Sequence, residues 1–229
     1  MNKKNIQIEY NKKIKQLIKL NEYYYAHSNP LVKDFEYDNL KKEILLLEKQ
    51  HKFLNSNDSP TKLVGFKPLK NFKKVLHKVP MLSLSNAFTQ NDLINFQKKI
   101  INYLDKKEDS EIEYSAEPKI DGISASLIYK NGKFITGLSR GDGNEGEDIT
   151  ENLKTIKDIP VIINDKNFPE EIDIRGEVFI QNNDFKKISS KFANPRNAAS
   201  GSLRQKNPEE TKKIPLRFIA YTYGHEKHM

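Results

Sequence analysis

Cysteine is absent from all 229 residues, which excludes disulfides and any thiolate-bound zinc within this stretch. No apolar run approaches the roughly 20 residues that span a bilayer, and the opening Met1-Asn2-Lys3-Lys4 lacks the apolar segment of a secretory signal. The expected setting is therefore cytoplasmic, with no membrane partner. Acidic residues are in deficit, 31 against 39 Lys and Arg, for a net charge of +8. Such an excess suits a phosphate-bearing partner, because charge neutralisation supplies most non-specific nucleic-acid affinity. The lysines are spread along a chain rich in Lys, Asn and Ile throughout, however, and an AT-biased genome produces the same composition. Charge alone does not separate the two. Hydrophobic residues make up 36% and charged residues 31%, enough for one large domain or a small plus a medium one.

The first sixty or so residues carry helical periodicity. Tyr10, Ile14, Leu17, Ile18, Tyr24 and Tyr25 follow one helix face, and Ser28-Asn29-Pro30 stops it. Asp34 is a candidate cap for a second helix with the stripe Tyr37, Leu40, Ile44 and Leu47, and Asn57-Asp58-Ser59-Pro60 closes this helical hairpin. From about residue 70 the periods change. Leu93, Phe96, Ile100 and Leu104 predict a helix, and alternation over 112–117 predicts a strand. Alternation resumes at Ile123, Ala125, Leu127 and Tyr129, and Asn131-Gly132 predicts a type I′ hairpin turn. Further strands are expected at 158–163, 171–180 and 215–223, with a helix around 183–192. Irregular alternation with short hairpins argues for an α+β fold with antiparallel sheets.

Glycine is sparse and unevenly placed. Eight of the ten lie between Gly122 and Gly201, where backbone must turn tightly or approach a ligand closely. Four segments there carry chemistry. Lys119-Ile120-Asp121-Gly122 sits between two expected strands, beside one carboxylate and ahead of a glycine. A free lysine, with a pKa near ~10.4, becomes a nucleophile only where desolvation or nearby cations lower that value. The alternative is a surface lysine at a turn. Ser139-Arg140-Gly141-Asp142-Gly143 ends the hairpin and would bring Arg140 back towards the lysine, either to grip phosphate or ribose oxygens or as a solvated turn residue. In Arg175-Gly176-Glu177 the even-numbered neighbours Ile172, Ile174, Val178 and Ile180 face a core, so Asp173, Arg175 and Glu177 face the other side. A carboxylate there suits a ribose hydroxyl or Mg²⁺, or a cross-strand ion pair. Asn194–Gln205, with Arg196 and Arg204, offers donors to a nucleic-acid backbone or forms a helix N-terminus near Asn197.

Together these blocks resemble the NAD⁺-dependent bacterial DNA ligases. Glu117-Pro118-Lys119-Ile120-Asp121-Gly122 matches the nucleotidyltransferase Lys-x-Asp-Gly motif. Ser139–Gly143 with Gly146–Asn152, Val79-Pro80-Met81-Leu82-Ser83-Leu84, Ile174–Val178 and Asn194–Gln205 match further blocks in order. So does the helical module, with Tyr24-Tyr25 and Asp34-Phe35-Glu36-Tyr37-Asp38. The likeness covers about 15 to 224, and six ordered blocks are far more specific than one tetrapeptide.

The resemblance implies an N-terminal helical domain (1–68) that binds NAD⁺, followed by a partial ATP-grasp-like adenylation domain (69–229). It implies nick sealing in duplex DNA, in replication and repair, by a monomer. Lys119 would attack the α-phosphate of NAD⁺ and become adenylated. Glu117 and the Ser83-Leu84 backbone would border the adenosine, while Asp121, Arg140 and Glu177 would fix ribose, phosphate and Mg²⁺. Tyr24, Tyr25, Asp34, Tyr37 and Asp38 would hold nicotinamide mononucleotide, and Arg196 and Arg204 would meet nicked DNA. Two further lysine-bearing motifs of the family, its oligonucleotide-binding, helix-hairpin-helix and partner-binding domains and its zinc module are expected beyond Tyr223-Gly224. Zinc belongs only to that part. The chain therefore reads as a fragment or a truncated reading frame. An ATP-dependent nucleotidyltransferase and a non-catalytic dinucleotide- or DNA-binding remnant are the competing readings.

Overall fold

The computed structural model describes residues 3–23, 31–54, 59–61, 72–107 and 110–227. Their contacts define two compact units, residues 82–120 and the remainder.

Within the larger unit, α1 (Lys3–Asn21) and α2 (Asp34–Gln50) form the expected helical hairpin. Ile6, Tyr10, Leu17 and Leu20 of α1 are buried with Leu40 and Ile44 of α2 and Leu54. Ile18, expected on the same stripe, is exposed, because it follows Leu17 by one residue and so lies about 100° around the helix. Asp34 is not the cap. Lys33 occupies that position, and the Glu36 carboxylate accepts from its backbone N–H at 3.1 Å, the reciprocal half of a capping box.

Between these helices lies a buried carboxylate. Glu48 is 6% exposed and accepts hydrogen bonds from Tyr10 (2.8 Å) and Ser59 (2.6 Å) at one oxygen and from Thr61 (3.0 Å) at the other. Burial is tolerated because donors meet both oxygens. Tyr37 adds a second polar tie, donating to the buried Asn21 at 2.8 Å.

The same unit holds a sheet with strands in the order β3-β2-β5-β6, all antiparallel, from β2 (Ile123–Lys130), β3 (Lys133–Ser139), β5 (Glu171–Ile180) and β6 (Leu216–Lys227). The β2–β3 turn has positive φ at both Asn131 (48°) and Gly132 (72°), as a type I′ turn requires. A second pair, β1 (Lys74–Leu76) with β4 (Glu145–Glu147), went unseen in the sequence because three residues are too few for a period to register. One sheet face is apolar. Ala125, Leu127, Tyr129, Val178 and Ile180 pack there with Ala198, Ala199 and Leu203 of α6 (Pro195–Leu203) and with Leu153 of α4 (Thr150–Leu153). The Tyr129 hydroxyl donates to the Pro160 carbonyl at 2.7 Å, and burial pushes its pKa up to about 12. Helix α6 starts where Asn194 caps the Asn197 N–H at 2.7 Å and Pro195 occupies the first turn, so the helix N-terminus expected near Asn197 forms. The remaining helices, α5 (Asn182–Phe185) and α7 (Pro208–Lys212), are short.

Three expected elements differ. Residues 158–163 make a single bridge, Ile162 to Lys133, because Pro160 has no N–H to donate to a ladder. The helix expected over 183–192 is regular only in α5, then tightens into i→i+3 bonds while Ser189 donates to the Lys186 carbonyl. Residues 112–117 alternate as a strand does yet form none, since no neighbouring strand among the described residues satisfies their backbone groups. In the unit 82–120, α3 (Gln90–Tyr103) forms with Thr89 and Asp92 closing a capping box. Its buried residue is Ile101, whereas Leu93, Phe96 and Leu104 of the expected stripe are exposed.

Glu48→Ala would leave three buried hydroxyls without their acceptor, an expected loss of about 2–4 kcal/mol. Urea unfolding followed by helical circular dichroism measures it, and Glu48→Gln, which keeps one acceptor oxygen, should lose less.

Candidate active site

Alternation along β5 puts Asp173, Arg175 and Glu177 on the sheet face opposite the core. The register aligns Ser124 with Glu177 and Ser126 with Arg175, and places Ile219 beside Glu177. A bulge between Arg175 and Gly176 leaves Tyr221 as the extra residue of β6. This polar face has two layers of hydrogen bonding.

The inner layer is structural. Arg175 and Asp173 are 9% and 6% exposed at their side chains and pair at 3.0 Å through Nη2 and 3.1 Å through Nε. Ser126 donates to the other Asp173 oxygen. The remaining guanidinium donors reach the carbonyls of Pro80, at 3.0 Å, and Val79. A Cβ at Gly224 would stand 2.3 Å from the guanidinium, so glycine is required for close approach.

The outer layer carries the candidate chemistry. Ser124 donates to Glu177 at 2.9 Å. Tyr221, half-buried, lies within electrostatic reach of Glu177 and Arg140. Burial pushes its pKa up and the Glu177 charge adds to that, while its Ser124 hydrogen bond and the charges of Arg140 and Arg175 pull it down. Arg140 leads the glycine turn, where Gly141 (φ 58°) and Gly143 (φ 93°) adopt conformations that side chains strain to reach. Asp142 accepts from the N–H groups of Asn144 and Glu145, each at 2.9 Å, fixing the turn.

Gly122 joins the tetrapeptide to this face. A Cβ there would meet the Val178 carbonyl oxygen at 2.2 Å and the Glu177 side chain at 2.9 Å. The preceding Asp121 is paired with Arg196 at 2.9 Å, an exposed ion pair of small energetic weight. Arg204, expected at DNA, is anchored within the fold. It meets the buried Glu147 at 3.0 Å and donates to Ser200 at 3.0 Å.

Of the residues singled out in the sequence, Arg140 and Glu177 share the polar face, and Asp121 pairs with Arg196. Lys119, Glu117, Ser83 and Leu84 are exposed and belong to the unit 82–120. In the helical module Tyr37 spends its hydroxyl on Asn21, and Asp38 is half-buried. Tyr24, Tyr25 and the Asp34 side chain lie outside the described residues. Ser124 and Tyr221 went unrecognised in the sequence. Ser124 was signalled as a polar residue alternating with apolar ones, while Tyr221 reaches the face through a bulge no periodicity announces.

The antiparallel sheet has one apolar face and one face that carries Arg, Glu, Ser and Tyr, and Gly122 of the Lys-x-Asp-Gly segment packs on β5. Residues 69–229 match the family model described as the NAD-dependent DNA ligase adenylation domain, and residues 3–65 match that of the DNA ligase-like N-terminal NAD⁺-binding domain. A DNA ligase of Pelagibacter ubique is 69% identical over the whole chain, which covers 34% of that protein. DNA ligases of Clostridioides difficile and Parvibaculum lavamentivorans are 47% and 46% identical, over 93% and 91% of the chain and 32% and 31% of their own lengths. The chain belongs to the NAD-dependent DNA ligase family and spans about a third of the length of these relatives.

Two substitutions probe the site's scaffold. Asp173→Ala strands a buried guanidinium and should cost about 3–5 kcal/mol. Gly122→Ala must displace β5 backbone and should cost about 1–3 kcal/mol. Urea midpoints of the two variants measure both.

Proposed function

We propose that this chain carries the first step of an NAD⁺-dependent DNA ligase, transfer of adenylate from NAD⁺ to Lys119. The observation that carries the reading is the outer layer of the polar face, Arg140, Ser124, Glu177 and Tyr221, lying where Gly122 of the Lys-x-Asp-Gly segment packs on β5. Three residues of extended chain reach at most about 11 Å, so covalent connection alone keeps Lys119 in range of Gly122.

In the proposed step the neutral Lys119 amine forms a P–N bond to the α-phosphorus. The bond from that phosphorus to the bridging oxygen breaks, nicotinamide mononucleotide leaves with the electron pair, and the amine proton passes to solvent. Glu117 and the Ser83-Leu84 backbone border the adenosine. Arg140 offers its rigid fork to phosphate or ribose oxygens, and Glu177 and Asp121 accept from ribose hydroxyls. Tyr24, Tyr25, Asp34, Tyr37 and Asp38 hold the nicotinamide nucleotide, its ring stacking on aromatic faces. Among the described residues no three acidic, His or Cys side chains converge; Glu177 is the carboxylate that would hold Mg²⁺. When bound, that ion would offset phosphate charge.

In the whole protein the adenylate then passes to a 5′-phosphate at a nick and a 3′-hydroxyl displaces AMP, the reaction used in replication and repair. Arg196, in an exposed pair with Asp121, is the better placed arginine for a DNA phosphate. Arg204 first secures α6 to β4. We place the helical module at 1–68 and the adenylation domain at 69–229, working as a cytoplasmic monomer.

Incubation with NAD⁺ or ATP in Mg²⁺, followed by intact-mass measurement, tests the reading. An adenylate adduct is expected from NAD⁺, absent with ATP and lost in Lys119→Ala. An adduct from ATP would indicate a nucleoside-triphosphate enzyme, and nicotinamide mononucleotide binding without any adduct would indicate a binding module.

A further inference from the structure

His77 follows β1 directly, and its backbone N–H donates to the Asn144 carbonyl at 2.8 Å, extending the β1–β4 pairing by one residue. Its ring is wedged under the glycine turn. The Nε2 atom lies 3.2 Å from the Arg140 carbonyl oxygen. A Cβ at Gly146 would stand 3.0 Å from Nε2 and 1.9 Å from the Ser139 carbonyl oxygen, so the ring occupies space that only glycine leaves open. The other nitrogen, Nδ1, is buried and has no hydrogen-bond partner.

These contacts fix the proton. A carbonyl oxygen only accepts, so Nε2 must carry the hydrogen, and Nδ1 is left bare in the neutral ring. Charging the ring would place a second N–H at Nδ1, where nothing accepts it. Burial accordingly pushes the His77 pKa below 6.5, against the hydrogen bonds to the Arg140 and Ser139 carbonyls and the charge of Asp173. The charged groups that act on the ring are Asp173 and Arg175 of β5, whose opposite effects partly offset one another.

The Arg140 carbonyl also accepts from the Gly143 N–H at 3.0 Å, so one oxygen holds both the turn's own closure and the His77 ring. The next anchor is the Met81 N–H on the Gly143 carbonyl at 2.8 Å. Glycines at 141 and 143 make this turn conformationally permissive, and the His77 and Met81 contacts add to the Asp142 bonds that hold it from within.

We propose that His77 is a positioning residue for nucleotide binding, acting through Arg140: its Nε2–H holds the Arg140 carbonyl and so aims the guanidinium across the polar face. This rests on the reading of Arg140 as a nucleotide contact. Protonation keeps the Nε2–H donor, so the anchor itself does not depend on the ring's charge; it adds only an N–H at Nδ1 that nothing accepts. The folded pKa lies below the unfolded one, so the stability gained by burying the neutral ring is complete above about 6.5 and fades as pH falls through the lower folded value.

Nitrogen-15 spectra of the imidazole and carbon-13 spectra of the Arg140 carbonyl test the anchor without any ligand. The expected result is a neutral Nε2–H tautomer titrating below 6.5, with the Arg140 carbonyl shifted in His77→Leu and restored in His77→Gln, whose amide N–H replaces Nε2–H. An Nδ1–H tautomer, or a carbonyl unmoved in His77→Leu, would overturn the proposal. AMP titrations by calorimetry at neutral pH then separate positioning from general stability. His77→Leu should weaken binding about fivefold, the worth of one hydrogen bond, and His77→Gln should restore it. In an Arg140→Ala background His77→Leu should have no further effect, and an equal loss there would also overturn the proposal. If Arg140→Ala leaves AMP affinity unchanged, the assigned role of Arg140 fails while the spectra still decide the anchor.

Discussion

The Arg175 guanidinium is the group on which the rest of the site depends. Burying a cation is costly, and here the cost is met by one carboxylate, Asp173, and two main-chain carbonyls, those of Val79 and Pro80. Those carbonyls belong to the segment between β1 and the unit 82–120. A single side chain thus binds the central strand of the sheet to the stretch of chain from which the Lys119-bearing unit departs. The return is held more loosely, by Asp121 on Arg196 and by Gly122 against β5.

The same strand separates scaffold from chemistry. Its even-numbered residues go to the core with α6, and its odd-numbered residues make the polar face. A one-residue slip in register would exchange the two sets. The layers of the polar face divide further by depth. Asp173, Arg175 and Ser126 are satisfied by one another and by the 79–80 segment. Glu177, Ser124, Tyr221 and Arg140 lie further out, with Ser124 donating to Glu177. Enzymes built by electrostatic positioning need such a division, because donors aimed at a phosphate keep their direction only when their backbone cannot relax. The turn at Arg140 is the weak point of that arrangement, and the surrounding contacts of His77, Met81 and Asp142 converge on it.

Much of this was legible in advance. Strand β5 was readable to the residue because alternation over 171–180 has one solution, and the Asn131-Gly132 turn was readable because its residues tolerate positive φ. The stripe Tyr37, Leu40, Ile44 and Leu47 was readable from helical spacing. The failures share a cause. Alternation over 112–117 and the apolar residues of 158–163 describe side chains, whereas a strand also needs a partner for its backbone. The tie of Arg204 to Glu147 was equally illegible, because the two lie far apart in the chain and only the fold brings them together.

The sequence by itself determined the alternation of faces, the places where the chain must turn and the ordered motifs that identify the family, since these rest on local spacing and on glycine's conformational freedom. Tertiary structure alone decided which charges are buried in the scaffold and which are not. Arg140, Arg175, Arg196 and Arg204 are the same side chain in the sequence. Their separate roles arise because burial and partners distant in the chain set the free energy of each charge, and no local pattern encodes either.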